Sequence, residues 1–147
     1  MRAPHIYSEW IELISAIKDK ANDEEVLAAA KAGTLEWQVG VAERFTEEYL
    51  AAINYRIDCA ISTFQKNYRQ ADTDGMLVKS LLRLRKDMKF LADLLNIQAI
   101  PEKFRDKYVE LVRNKANEIQ SSLELSAKND RTGHLLHVVK NNRVNVF

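Results

Sequence analysis

Apolar side chains recur along this chain at steps of three and four, the spacing that keeps them on one face of a helix. The strongest run lies between Gly75 and Ile97, where Leu77, Leu81, Leu84, Met88, Leu91 and Leu95 form one stripe. Val78, Leu82 and Leu94 widen it beyond what a single neighbouring helix buries. Arg83, Arg85, Lys86 and Lys89 fill the remaining face. The pattern predicts a helix that is either central in a bundle or shared with another chain.

The same reading applied from the start of the chain predicts two short helices before the long ones. Ser8 is placed to cap the first, with Trp10, Leu13, Ile14 and Ile17 on its apolar face and an end near Ala21. Asn22 and Glu25 stand in capping-box spacing at the head of the second, with Asp23 and Glu24 in the turn the helix dipole favours. Gly33 stops it. Thr34 is then expected to cap a third helix over residues 35–70, striped by Phe45, Tyr49, Ile53, Ile57, Ala60 and Phe64. Gly40 is its weak point, about 1 kcal/mol less favourable than alanine.

Asp72-Thr73-Asp74-Gly75 is turn and cap chemistry, which separates this helix from the leucine-rich one over 75–97. Pro101 suits the first position of a fifth helix over 101–128, carrying Phe104, Tyr108, Val112, Ala116, Ile119 and Leu123. Beyond Gly133 the spacing favours a short helix and then an extended end, so that 133–147 is expected as a flexible or partner-binding tail. Arg143 to Phe147 alternates apolar and polar residues, which keeps a small hairpin open as an alternative.

The fold class is therefore all-α, with three long helices, two short ones before them and a short tail. A helix of 35 residues is about 50 Å long. A compact globule of this chain length is about 38 Å across. An elongated bundle with a thin core follows, and pairing with a second copy would thicken it. A homo-oligomer is the expectation, with Leu77, Leu81, Leu84, Met88, Leu91 and Leu95 as the self-association or partner interface.

Composition sharpens this picture only in places. Four glycines and two prolines in 147 residues favour long helices over strands and turns. That length predicts a single domain able to bury its own core. The lone cysteine, Cys59, has no internal partner for a disulfide, and no apolar run reaches the roughly 20 residues that would span a bilayer. Glu9 and Glu12 interrupt the first apolar face, so it does not read as a signal peptide, and a cytoplasmic location without membrane association is expected.

The net charge of +1 conceals an asymmetry, since residues 1–75 hold 8 Lys+Arg against 13 Asp+Glu and residues 76–147 hold 14 against 8. Such a split suits attraction between two halves or two protomers. It also suits a nucleic-acid surface, for which Arg83, Arg85, Lys86, Lys89, Lys103, Arg105, Lys107 and Arg113, with Lys115, are the candidates on the fourth and fifth helices. The first reading is preferred because Asp87, Asp93, Asp106 and Glu110 interrupt the positive charge.

Catalytic chemistry finds little to stand on. Asp130, His134 and His137 offer a carboxylate and two imidazoles at near-helical spacing, a weak zinc or iron set. The chain lacks paired Glu-x-x-His, His-Glu-x-x-His, the phosphate-binding Gly-Lys-Ser/Thr loop and Gly-x-Ser-x-Gly. Cys59 is expected as a small buried or half-buried thiol beside the core stripe. Trp10 and Trp37 are expected to pack together at a helix junction. The sequence thus predicts a non-enzymatic regulatory or adaptor protein without cofactor, acting through protein contacts, with nucleic-acid binding as the alternative.

Overall fold

Local hydrogen bonding dominates where glycine and proline are scarce, and here it produces a chain that is 76 % helical with no strand. The computed structural model describes residues 1–147. Its helices are α1 (Tyr7–Ile17), α2 (Asp23–Ala32), α3 (Val39–Gln70), α4 (Asp74–Leu95), α5 (Glu102–Ala127) and α6 (His134–Asn141). The all-α class and the three long helices are those the periodicity predicts, and the end of the chain forms a short helix rather than a hairpin.

The boundaries that differ do so where distant residues claim the local groups. α1 starts a residue before Ser8, and the Glu9 carboxylate accepts the backbone N–H groups of His5 (3.1 Å) and Ile6 (3.3 Å). It ends at Ile17, ahead of the expected Ala21, and a 3₁₀ turn at Lys20–Asn22 follows. That turn uses the Asn22 backbone N–H on the Asp19 carbonyl at 3.2 Å, so no capping box with Glu25 forms.

The third helix begins at Val39 rather than Leu35. Thr34 is fully engaged elsewhere: its N–H donates to the Pro4 carbonyl (2.9 Å), its carbonyl accepts from the Trp10 indole (2.9 Å), and its hydroxyl lies 2.8 Å from His5 Nδ1. Residues 33–38 are thereby held as a non-helical strap across Trp10. Gly33 ends α2 with ordinary extended backbone (φ −74°), so glycine is required there for space. A Cβ on Gly33 would lie 2.8 Å from the Trp10 ring and 2.9 Å from the Pro4 carbonyl.

Packing divides the chain into two compact units, residues 1–58 with 90–109 and residues 59–89 with 110–147. The first unit is centred on aromatic rings. Trp10 meets Phe45 edge-on at 5.1 Å, Phe45 stacks on Tyr49 at 5.0 Å, and Trp37 approaches Phe45 at 5.6 Å, so the two tryptophans are joined through Phe45. The Tyr49 hydroxyl donates to the Leu94 carbonyl, and complete burial pushes its pKa far up. Gln98 Nε2 holds the strap from the other side by donating to the Gly33 carbonyl at 3.1 Å.

The second unit contains residues 59–70 of α3, 74–89 of α4, 110–127 of α5, and α6. Gln120, buried on α5, fixes the end of the chain with both ends of its amide: Nε2 donates to the Val139 carbonyl and Oε1 accepts the Val144 N–H. Val138, Val139 and Val144 are buried. Residues 133–147, expected as a flexible or partner-binding tail, are therefore docked on this unit.

Asp130 starts α6. Its carboxylate accepts the Leu135 N–H at 2.9 Å and the Thr132 hydroxyl at 3.0 Å, and these bonds, the Leu135 one first, hold its pKa below the ordinary value of 3.8. A carboxylate favoured in the folded state contributes its stability above that ordinary value and loses it as the pH falls through the lowered one. Asp130→Ala is expected to speed amide exchange selectively across His134–Asn141, the range of α6. In the unaltered chain the same amides should lose protection as the pH is taken below about 4. Equal acceleration in all six helices would contradict that local role.

Candidate functional site

The six residues expected at a leucine-rich interface lie inside the chain itself. Leu77, Leu81, Leu84 and Met88 are core of the second unit and Leu91 and Leu95 core of the first, none more than 8 % exposed. The breadth of the stripe thus reflects a helix surrounded by its own neighbours. A partner surface has to be sought among other residues.

The basic candidates divide between the units. Arg83, Arg85, Lys86, Lys89 and Arg113 belong to the second, and Lys103, Arg105 and Lys107 to the first. Arg85 Nη1 donates to the Arg143 carbonyl at 3.4 Å, and Arg113 pairs with Glu110 at 3.3 Å on the same helix. Lys103 lies over the Phe104 ring at 4.9 Å. Arg105 has its Nε buried without a hydrogen-bond partner. Arg83 and Lys86 are exposed. The charge asymmetry itself is segregated by unit: the first holds 9 Lys+Arg against 14 Asp+Glu, the second 13 against 7.

Asp130, His134 and His137 do not converge on a common point. Asp130 is spent on the start of α6, His134 Nε2 donates to Asp74 Oδ2 at 2.7 Å, and Asn141 Nδ2 sits 2.9 Å from His137 Nε2. No group of three or more metal-ligating side chains comes together. Cys59, expected buried or half-buried, is exposed: it projects from the side of α3 away from the core stripe.

Three helices packed side by side leave three grooves, and in the second unit each has a different character. The groove between α4 and α5 is covered by α6 and the following residues, through His134 to Asp74, Gln120 to Val139 and Val144, and Asn145 to Asn117. The groove between α3 and α4 is polar, a 270 Å³ recess lined by Asn67, Gln70, Met76, Lys79, Ser80 and Arg83. The groove between α3 and α5 is open, holds about 340 Å³, and has Leu84 for its floor.

This third groove is built by two helical stripes facing each other. α3 supplies Ile61, Phe64, Gln65, Tyr68 and Arg69, and α5 supplies Lys115, Glu118, Ile119, Ser122 and Leu123. Phe64 and Tyr68 are in ring contact at 5.4 Å along one wall. The Tyr68 hydroxyl is buried with no hydrogen-bond partner, and desolvation raises its pKa. It stays a protonated donor at neutral pH. Lys115 and Glu118 face each other loosely at 3.7 Å on the rim.

Two further leucines extend the α5 wall. Leu111 and Leu125 are 53 % and 68 % exposed. With Lys115, Glu118 and Ser122 they follow steps of four, three, four and three, so they fall on the groove side of α5. Single exposed leucines are ordinary surface. Leu111 and Leu125 flank the lining rather than belong to it, with Lys115, Glu118 and Ser122 between them on that face. In the sequence three polar residues separate the two leucines on that face, so no apolar stripe marks the groove beside the one through Tyr108, Val112, Ala116, Ile119 and Leu123. No protein-family model, curated protein or solved structure matches this chain.

Proposed function

We propose that the chain is a non-enzymatic, cytoplasmic adaptor or regulatory protein that acts through protein–protein contact, using the open groove between α3 and α5. The observation that carries this reading is the open groove of about 340 Å³ in which Ile119 and Leu123 of α5 face Ile61 and Phe64 of α3 over Leu84, with no helix on it. Burial of apolar surface in that groove releases about 25 cal/mol per Å². Side chains with catalytic potential have structural tasks instead, as Asp130, His134 and His137 do. The absence of any helix long and apolar enough to cross a membrane is consistent with contact in solution.

The test is proximity labelling in the native cell with the full chain. Leu111→Ser with Leu125→Ser, both at exposed positions, should remove the proteins labelled by the unaltered chain while leaving circular dichroism unchanged. Arg83→Ala with Lys86→Ala should leave the labelled set intact.

Nucleic-acid binding is supported by one observation, the excess of 13 Lys+Arg over 7 Asp+Glu in the second unit, with Lys79 and Arg83 lining its polar groove. Under that reading retention on nucleic acid should fall about a hundredfold between 50 and 200 mM salt for four phosphate contacts. Arg83→Ala with Lys86→Ala, rather than the leucine pair, should then abolish it.

A further inference from the structure

Building on the groove reading above, we propose that its occupant is an acidic amphipathic helix of another protein, seated over about two of its turns. Shape comes first. Two helices side by side with an apolar floor receive a third helix along their shared groove. The α5 lining runs from Lys115 to Leu123, so the groove is about 12 Å long, a little over two helical turns.

Charge selects the sign of the partner. The unit that carries the groove holds 13 Lys+Arg against 7 Asp+Glu, and Arg69 and Lys115 stand on opposite rims. The one acid on the lining, Glu118, faces Lys115. Carboxylates on the polar edge of an incoming helix therefore meet guanidinium and ammonium groups on both sides.

The experiment uses the full chain labelled with a fluorophore at the lone, exposed Cys59. Three synthetic helical peptides share one leucine and alanine stripe and carry glutamate, glutamine or lysine on the polar face. The glutamate peptide should bind most tightly, the glutamine peptide more weakly, and the lysine peptide least. Leu111→Ser with Leu125→Ser should weaken the glutamate and glutamine peptides alike.

Equal binding of all three peptides, lost in the leucine double variant, overturns the acidic partner and leaves the docking groove standing. No binding, or binding indifferent to the leucine pair, overturns the groove as well. A dimer seen by light scattering that the glutamate peptide disperses makes the occupant a second copy of this chain, and overturns a separate partner.

Discussion

Replacing Trp10 by alanine is expected to cost about 3–5 kcal/mol, the range for emptying an aromatic site in a packed core. The side chain is fully buried, meets Phe45 and Tyr49 edge-on at 5.1 and 6.3 Å, and donates its indole N–H to the Thr34 carbonyl. Both ring contacts and one of the bonds that hold the 33–38 strap vanish together. Domains are stable by only about 5–15 kcal/mol, so the loss is a large part of the total. Urea unfolding followed by circular dichroism measures it as a lowered midpoint. Trp10→Phe keeps most of the apolar volume but leaves the Thr34 carbonyl without its donor, and should cost about 1–3 kcal/mol.

Gly33 offers an independent check on the same arrangement. Gly33→Ala puts a methyl group 2.8 Å from the Trp10 ring and 2.9 Å from the Pro4 carbonyl. Neither is the free end of a flexible side chain, so overpacking of about 1–3 kcal/mol follows. Combined with Trp10→Phe, which removes the atom nearest the clash, Gly33→Ala should cost less than its share. Simple additivity of the two changes would show that ring and glycine do not press on each other.

These residues also show where sequence stops predicting structure. α4 was legible to within a residue or two because its signals are local: a leucine period and the turn chemistry of Asp72–Gly75. The start of α3 was not, because Thr34 is a good cap by type and is taken by Pro4, Trp10 and His5, which are 24 to 30 residues away in the chain. The breadth of the leucine stripe was visible, but whether a broad stripe is covered by the same chain or another depends on tertiary packing. Charge asymmetry was readable from the chain, whereas its segregation into two units emerges only from the fold. The groove was the least legible feature, since Leu111 and Leu125 are flanked by polar residues and a buried hydroxyl without a partner has no sequence signature.

The second large effect is expected at Asp23, whose partner Arg56 is only 5 % exposed. Arg56 Nη1 donates to the Ile17 carbonyl at 2.7 Å and to Asp23 Oδ1 at 2.8 Å, while Nη2 donates to Asp23 Oδ2 at 3.0 Å. Its guanidinium also lies over the Phe90 ring at 5.2 Å. One cation thus closes the carbonyl end of α1, where the helix dipole favours positive charge, and grips the first turn of α2. Asp23→Ala takes the bidentate carboxylate away from a guanidinium that is only 5 % exposed. A fully buried pair broken this way loses about 3–5 kcal/mol, and because the Asp23 side chain is 24 % exposed the loss here should be about 2–4. Arg56→Met keeps the aliphatic volume and leaves an aspartate that can reach water, so it should cost less, about 1–2 kcal/mol, chiefly for the abandoned Ile17 carbonyl. The double variant should cost less than the two single losses added together, because each single change already breaks the same pair. A double variant as unstable as the two single losses added together would mean that Asp23 acts on α2 by itself, and that the bidentate pair does not join α1 to α2 energetically.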